Sequence, residues 1–168
     1  NKQRGAVVLD VGANHECTPK NLVQFAVMGS VFARYHAGVE RPRVGLLNIG
    51  EEKSKGNDLV RESHALLEKD LRIHFVGNVE GRDVFDGAAD VVVCDGFVGN
   101  VILKFSESIY SFLAHLVKDE IRRGALAKAG ALLMKPAFGS VRARLDYAEY
   151  GGAPLLGVKG VVIISHGK

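Results

Sequence analysis

Apolar residues fall along this chain in two rhythms. Five short, nearly unbroken runs, AVVL from 6, VGLL from 44, IHFV from 73, VVVC from 91 and VVII from 161, predict strands buried on both faces. Only IHFV alternates with polar residues, which puts it nearer a sheet edge. Between the first two runs the apolar spacing widens to that of a helix: Leu22, Phe25, Ala26, Gly29, Phe32 and Ala33 share one face. Thr18-Pro19 opens this helix and Gly38 ends it. Gly29 at its centre costs about 1 kcal/mol against alanine, a cost that makes sense if the helix lies close on the sheet there.

A second helix is predicted from Asn57 to Glu68, with Leu59, Val60, Ser63, Leu66 and Leu67 inward. The connection from Val76 to Val91 has room only for a stub of helix near 82–87. From Asn100 onward Val101, Ile102, Phe105, Ile109, Phe112, Leu113, Leu116, Val117 and Ile121 repeat at helical spacing, predicting the longest element, about six turns. Gly124 then permits a turn, and 125–134 is helical again, so a projecting helical hairpin is expected over about 100–145. Strand alternating with helix predicts the α/β class, with a doubly wound, mostly parallel sheet.

Length and composition narrow this picture. With 168 residues, 47% of them hydrophobic, the chain can bury one full core and is read as a single α/β domain. Its last apolar run has no helix after it, and this predicts a piece of a longer protein. No run reaches the roughly 20 apolar residues that cross a bilayer, and NKQRG is followed by no signal-peptide core, so a cytoplasmic protein is expected. Two cysteines, Cys17 and Cys94, form neither a disulfide framework nor a zinc pattern, and Cys94 is expected as a buried thiol. Charge is uneven. The chain carries a net +3, yet 115–144 alone holds Lys118, Arg122, Arg123, Lys128, Lys135, Arg142 and Arg144 against only Asp119 and Glu120, so the basic character belongs to the hairpin.

Candidate chemistry gathers where the strands end. DVGAN, NIGEE, VGNVEG, CDGFVGN and SHGK each set glycine beside a polar group, and in a parallel sheet all five exits would share one edge, where open α/β folds bind ligands. Gly96 and Gly99 are expected to let the backbone approach a ligand, and Asn100 to begin a helix whose first N–H groups are bare and attract an anion. Lys104, one turn along the same face, would add a full positive charge; a plain solvated lysine is the alternative. His15 and His166 stand at strand exits as ligand contacts or simple loop polarity, whereas His64 and His115 are expected at the surface. Asp10 and Asp95 either orient donors or repel excess anion. No P-loop, dinucleotide fingerprint or paired-histidine metal site is present in the sequence, and neither a metal nor an organic cofactor is expected.

LDVGAN, LVQFAVMGSV, PRVGLLNIGEEKSKGN, FVGNVEGRD, VVVCDGFVGNVILK and DYAEYGGAPLLGVKG, in this order over nearly the whole chain, resemble the bacterial phosphate acyltransferase (PlsX) family of phospholipid synthesis. The resemblance implies transfer of a fatty acyl group from acyl carrier protein to inorganic phosphate, giving acyl phosphate. It also implies a fold like isocitrate and isopropylmalate dehydrogenases, a homodimer, and loose attachment to a membrane surface, with no nucleic-acid partner. The family's N-terminal part would complete the cleft, so the chain is not expected to be active alone. On this reading Gly96, Gly99, Asn100 and Lys104 hold phosphate. Asn14, Asn48 and Asn78 offer amide donors to the thioester oxygen or orient the anion, and Glu80, Lys55 and His166 are further contacts. The basic residues Lys118, Arg122, Arg123 and Lys128 would meet the acidic carrier protein or anionic lipid. Two other readings stay open: a nicotinamide-dependent decarboxylating dehydrogenase, and a non-catalytic module that dimerises or binds the carrier protein.

Overall fold

The structure, a computed structural model, describes residues 5–145 and 152–165, with side chains to 141 in the first stretch. His166 therefore lies outside the described residues, and so do the side chains of Arg142 and Arg144. Two compact units divide at Lys104: Asn1–Lys104 and Phe105–Lys168.

The first unit is an α/β layer. Strands β1 (Val7–Leu9), β2 (Arg43–Leu47), β3 (His74–Val79) and β4 (Val91–Val93) form one sheet in the order β1-β4-β2-β3, every neighbouring pair parallel. As its alternation predicts, β3 lies at an edge. Its pairing with β2 slips one residue beside Val76, and Gly77 supplies the positive φ of 101° that follows.

Successive side chains on each strand point to opposite faces, and helices cover both. Val44, Leu46, Val91 and Val93 meet α1 (Pro19–Ala37) and α2 (Asp58–Leu67) on one face; Leu47, Val79 and Val92 meet Val84 of α3 (Asp83–Asp86) and Ile102 of α4 (Gly96–Arg122) on the other. The α1 boundaries follow from its caps. Thr18 precedes Pro19, its N–H and hydroxyl donating to Asn21 Oδ1 at 2.8 and 2.6 Å, and Gly38 closes the helix in the left-handed region at φ 65°. The close packing expected of Gly29 is present: a Cβ there would stand 2.6 Å from Val91 Cγ1.

Three expectations need correction. The fifth run is no member of the parallel sheet: Ile163–Ile164 is β6, antiparallel to β5 (Ala153–Pro154) in a separate two-stranded sheet. Its apolar composition fits a hairpin strand as well as a buried one, which a short run cannot distinguish. Second, α4 begins at Gly96 rather than Asn100, because Asp95 caps it: Asp95 Oδ1 accepts from Val98 N at 2.9 Å. Third, the inward face of α2 is rotated from the expected one. Leu66 is 42% exposed, whereas His64, expected at the surface, is buried.

In the second unit the remainder of α4 is followed by α5 (Ala125–Leu133) and α6 (Lys135–Leu145). Leu113, Leu116, Val117, Ile121, Met134 and Phe138 line an open apolar groove. Among the described residues no helix is long and apolar enough to cross a membrane.

Candidate functional site at the strand exits

The β1 exit is organised by one carboxylate. Asp10 is buried and accepts four hydrogen bonds of 2.8 Å: Gly12 N and Ala13 N on Oδ1, Asn14 N and Asn14 Nδ2 on Oδ2. Burial alone would raise its pKa, but the donors from Ala13, Asn14 and Gly12 together outweigh desolvation and hold it below the ordinary value of 3.8. Of the two roles open to Asp10 and Asp95, both take the first: Asp10 orients loop donors and Asp95 caps α4.

This loop lies directly on the start of α4. Gly96 N donates to Asn14 O at 2.8 Å, and a Cβ on Gly96 would stand 2.5 Å from that same oxygen. A Cβ on Gly99 would stand 1.8 Å from Asp10 O. The two glycines therefore serve a backbone-to-backbone approach, not the approach to a ligand that the sequence suggested. Three of the first four amides of α4 are also occupied: Gly96 N by Asn14 O, Val98 N by Asp95 Oδ1 and Gly99 N by Asp95 O at 2.9 Å. What the cradle turns outward is side-chain chemistry. Asn14 and His15 are exposed and Asn100 half-buried, the Asn100 carboxamide lying over Gly12, where a Cβ would be 3.6 Å from its Cγ. Lys104 is exposed, four residues along α4.

A second cluster forms at the β2 and β3 exits. Asn48 N donates to Val79 O at 2.8 Å, while Asn48 Nδ2 donates to Lys55 O at 3.1 Å and its Oδ1 accepts from Ile49 N at 2.8 Å. Gly56, at φ 88°, is close beneath: a Cβ there would meet Asn48 Oδ1 at 2.5 Å. Asn78 is buried; its Nδ2 donates to Glu52 O at 3.0 Å and its Oδ1 faces His64 Nδ1 at 2.9 Å. Both ends of this carboxamide are thus engaged inside the protein, unlike the substrate donor the sequence suggested. Lys55 is exposed, and Glu80 is half-buried with Arg82 Nη2 3.4 Å from its Oε2.

Neither cysteine is a ready nucleophile. Burial, with Asp95 and Asp10 nearby, pushes the Cys94 thiol up to about 12, and Cys94 Sγ donates to Asp10 O at 3.3 Å. Burial likewise raises Cys17, a smaller contribution from the Gly96 N–H opposing it. Among the described residues no group of three His, Cys, Asp or Glu side chains is placed to hold a metal ion.

His64 as a buried partner was the residue the sequence concealed, whereas Asp10 was legible as a residue that could orient donors. Asp10 had a signal in DVGAN, an aspartate followed at two and four residues by glycine and asparagine, the pattern of a side chain bonding its own backbone ahead. His64 had only its place beside inward-facing Ser63.

The family model described as "Fatty acid synthesis protein" matches residues 1–168. The chain belongs to this fatty acid synthesis protein family. Among curated members it is 58% identical over 163 residues to the phosphate acyltransferase of Heliobacterium modesticaldum, covering 97% of this chain and 48% of that protein. It is 56% identical to that of Geotalea uraniireducens, covering 96% and 46%. With the Aquifex aeolicus phosphate acyltransferase it shares 54% identity across 100% of this chain and 50% of the relative. The chain thus spans about half the length of these family members.

Proposed function

We propose that this chain is a working part of a phosphate acyltransferase, which moves a fatty acyl group from the thioester of acyl carrier protein onto inorganic phosphate. The observation that carries the reading is the match along almost the entire chain, at 54–58% identity, to proteins of that name. The chemistry at the strand exits suits it. Phosphate is anionic and nucleophilic at neutral pH, so the protein has mainly to place it beside the thioester carbonyl and stabilise the oxyanion that forms when a phosphate oxygen attacks. The C–S bond then breaks and the carrier thiol leaves. An acyl-cysteine route finds little support in thiols held protonated at Cys94 and Cys17.

In this reading Asn100 and Lys104, with Asn14 beside them, hold the phosphate through side chains, since Gly96 N, Val98 N and Gly99 N are occupied. Lys55, Asn48 and Glu80 border the thioester side, Asn78 acts from beneath, and His166 remains a further contact. The sheet would be the C-terminal half of an isocitrate dehydrogenase-like fold, in a cytoplasmic homodimer that attaches peripherally to membrane. The test is phosphate-dependent release of thiol from acyl carrier protein, in a form extended to the length of the relatives. Lys104→Ala is expected to lower kcat/KM for phosphate by tenfold or more, on the order of a charge-assisted hydrogen bond; normal turnover and phosphate affinity would remove Lys104 from the site. Saturable nicotinamide binding would revive the dehydrogenase alternative.

The hairpin cations are a separate expectation. Arg123 Nη1 is 2.7 Å from Glu120 Oε1 and Arg122 Nη1 4.0 Å from Asp119 Oδ1, exposed pairs of small energy, so either arginine can exchange its partner for an acidic group on a docking surface. Reversing both, Arg122→Glu with Arg123→Glu, is expected to weaken binding to carrier protein or anionic vesicles at least tenfold while leaving the thermal midpoint near its original value. Each cation contributes about 1 kcal/mol near an anionic membrane. Unchanged co-sedimentation and carrier-protein affinity would exclude these residues from the contact.

A further inference from the structure

His64 and Asn78 form a buried polar pair that the packing of the sheet does not call for. His64 is 5% exposed and Asn78 7%, so each was desolvated at a cost that only hydrogen bonds offset. The direction of those bonds can be assigned. A backbone carbonyl only accepts, so the Asn78 atom 3.0 Å from Glu52 O is Nδ2. This leaves Oδ1 as the acceptor facing His64 at 2.9 Å, and His64 Nδ1 must carry a proton. Phe75 holds the imidazole from the side, ring centroids 5.1 Å apart and planes at 75°. The chain of bonds therefore runs from α2, through β3, to the middle of the segment after β2.

That segment has little apolar anchorage of its own. Ile49 is 82% exposed, and Glu51, Glu52, Lys53, Ser54 and Lys55 are all exposed. Polar bonds hold it instead: Asn48 Nδ2 on Lys55 O, Lys55 N on Glu52 O at 3.1 Å and Asn78 Nδ2 on Glu52 O, with exposed ion pairs of Lys53 to Glu68 and Glu51 to Arg82. Of these anchors only Asn78 is itself backed by a second buried side chain.

We propose that His64 is a positioning residue which, through Asn78, fixes the Glu52 carbonyl and so sets the loop that presents Lys55 at the strand exits. The identity of what Lys55 meets rests on the phosphate acyltransferase reading; the latch itself does not. Removing the His64 donor leaves Asn78 free to turn from Glu52, and the loop then opens more often without loss of the sheet.

The experiment uses the full-length enzyme. Nitrogen-15 NMR of the unaltered protein should show His64 carrying a proton on Nδ1. His64→Leu should raise the exchange rate of the Lys55 amide and lower kcat/KM for phosphate, each by about tenfold, the scale of one net hydrogen bond. Asn78→Asp, which turns the Glu52 donor into an acceptor, should do the same. His64→Asn, whose Nδ2 can replace Nδ1, should restore both, a rescue that a merely space-filling histidine would not show. A neutral His64 protonated only on Nε2 would overturn the proposal even if the leucine variant did not fold. So would a folded His64→Leu with unchanged Lys55 exchange, or an asparagine variant as impaired as the leucine one. Absence of phosphate-dependent turnover in the unaltered enzyme would instead sink the acyltransferase reading, with tautomer and exchange still deciding the latch.

Discussion

Gly99→Ala is expected to cost about 3 kcal/mol or more of stability, the upper range for overpacking a filled site. The added methyl carbon would lie 1.8 Å from Asp10 O, 2.9 Å from Asp10 C and 3.0 Å from Cys94 Sγ. An alanine Cβ has no rotamer by which to escape. The obstacle on its other side is backbone, fixed by the Cys94 N to Leu9 O and Asp10 N to Cys94 O bonds of 2.9 and 3.0 Å. Either the β1 exit leaves α4 or the start of α4 unwinds, and both dismantle the loop that carries Asn14. Gly130→Ala makes the contrast. It lies inside α5, where an added Cβ would meet no heavy atom within 4 Å beyond the backbone of its own helix, and alanine there should be neutral or stabilising by up to about 1 kcal/mol. Urea midpoints of the two variants measure the difference; a Gly99→Ala loss below 1 kcal/mol would show that the approach of loop and helix is not as tight as described.

Asp10→Asn should be nearly as damaging, about 2–4 kcal/mol at neutral pH, the loss expected when buried donors to a charged acceptor are left unmatched. An amide keeps one oxygen for Gly12 N and Ala13 N, but its NH2 then faces Asn14 N and Asn14 Nδ2, donor against donor. The pH dependence identifies the cause. Because the folded pKa of Asp10 is depressed, its contribution is fully present above the unfolded value near 3.8 and is lost as pH falls from there through the folded pKa. The gap in stability between wild type and Asp10→Asn is therefore expected to narrow on acidification below that value and to stay constant above it. Denaturant titrations across this range check both arms, and a gap that persisted unchanged in acid would mean that the carboxylate charge contributes nothing.

Those two positions also mark how far the fold could be read from the residues. Four strands and the first two helices follow from runs such as VVVC and from the Thr18-Pro19 and Asn57 starts, because apolar rhythm and caps are local signals. The start of α4 was hidden for a physical reason: Gly96 and Gly99 lower helix propensity, and the contact that requires them lies more than eighty residues back in the chain. Asn78 was legible as a polar residue at a strand end, but its inward direction depends on the register of β3 with β2, where Leu46 pairs with Asn78 only after the slip beside Val76. His64 faces inward for the same reason, as partner to a group the sequence could not orient. Four of the five glycine-rich exits do share the edge of one parallel sheet, as the alternation of strand and helix predicts. The strand before the fifth belongs to a short antiparallel pair.

The strand order also constrains when this edge can come into being. Within the described sheet β1 pairs with β4 alone, so the turn after Leu9 finds its partner only once residues 91–100 exist. On a ribosome, β2, β3 and their helices can assemble as the chain emerges, whereas the pairing of β1 with β4 waits for residues 91–93, a long closure of the slow kind. The seating of the Asn14 loop on the start of α4 is therefore a late acquisition in the life of each molecule.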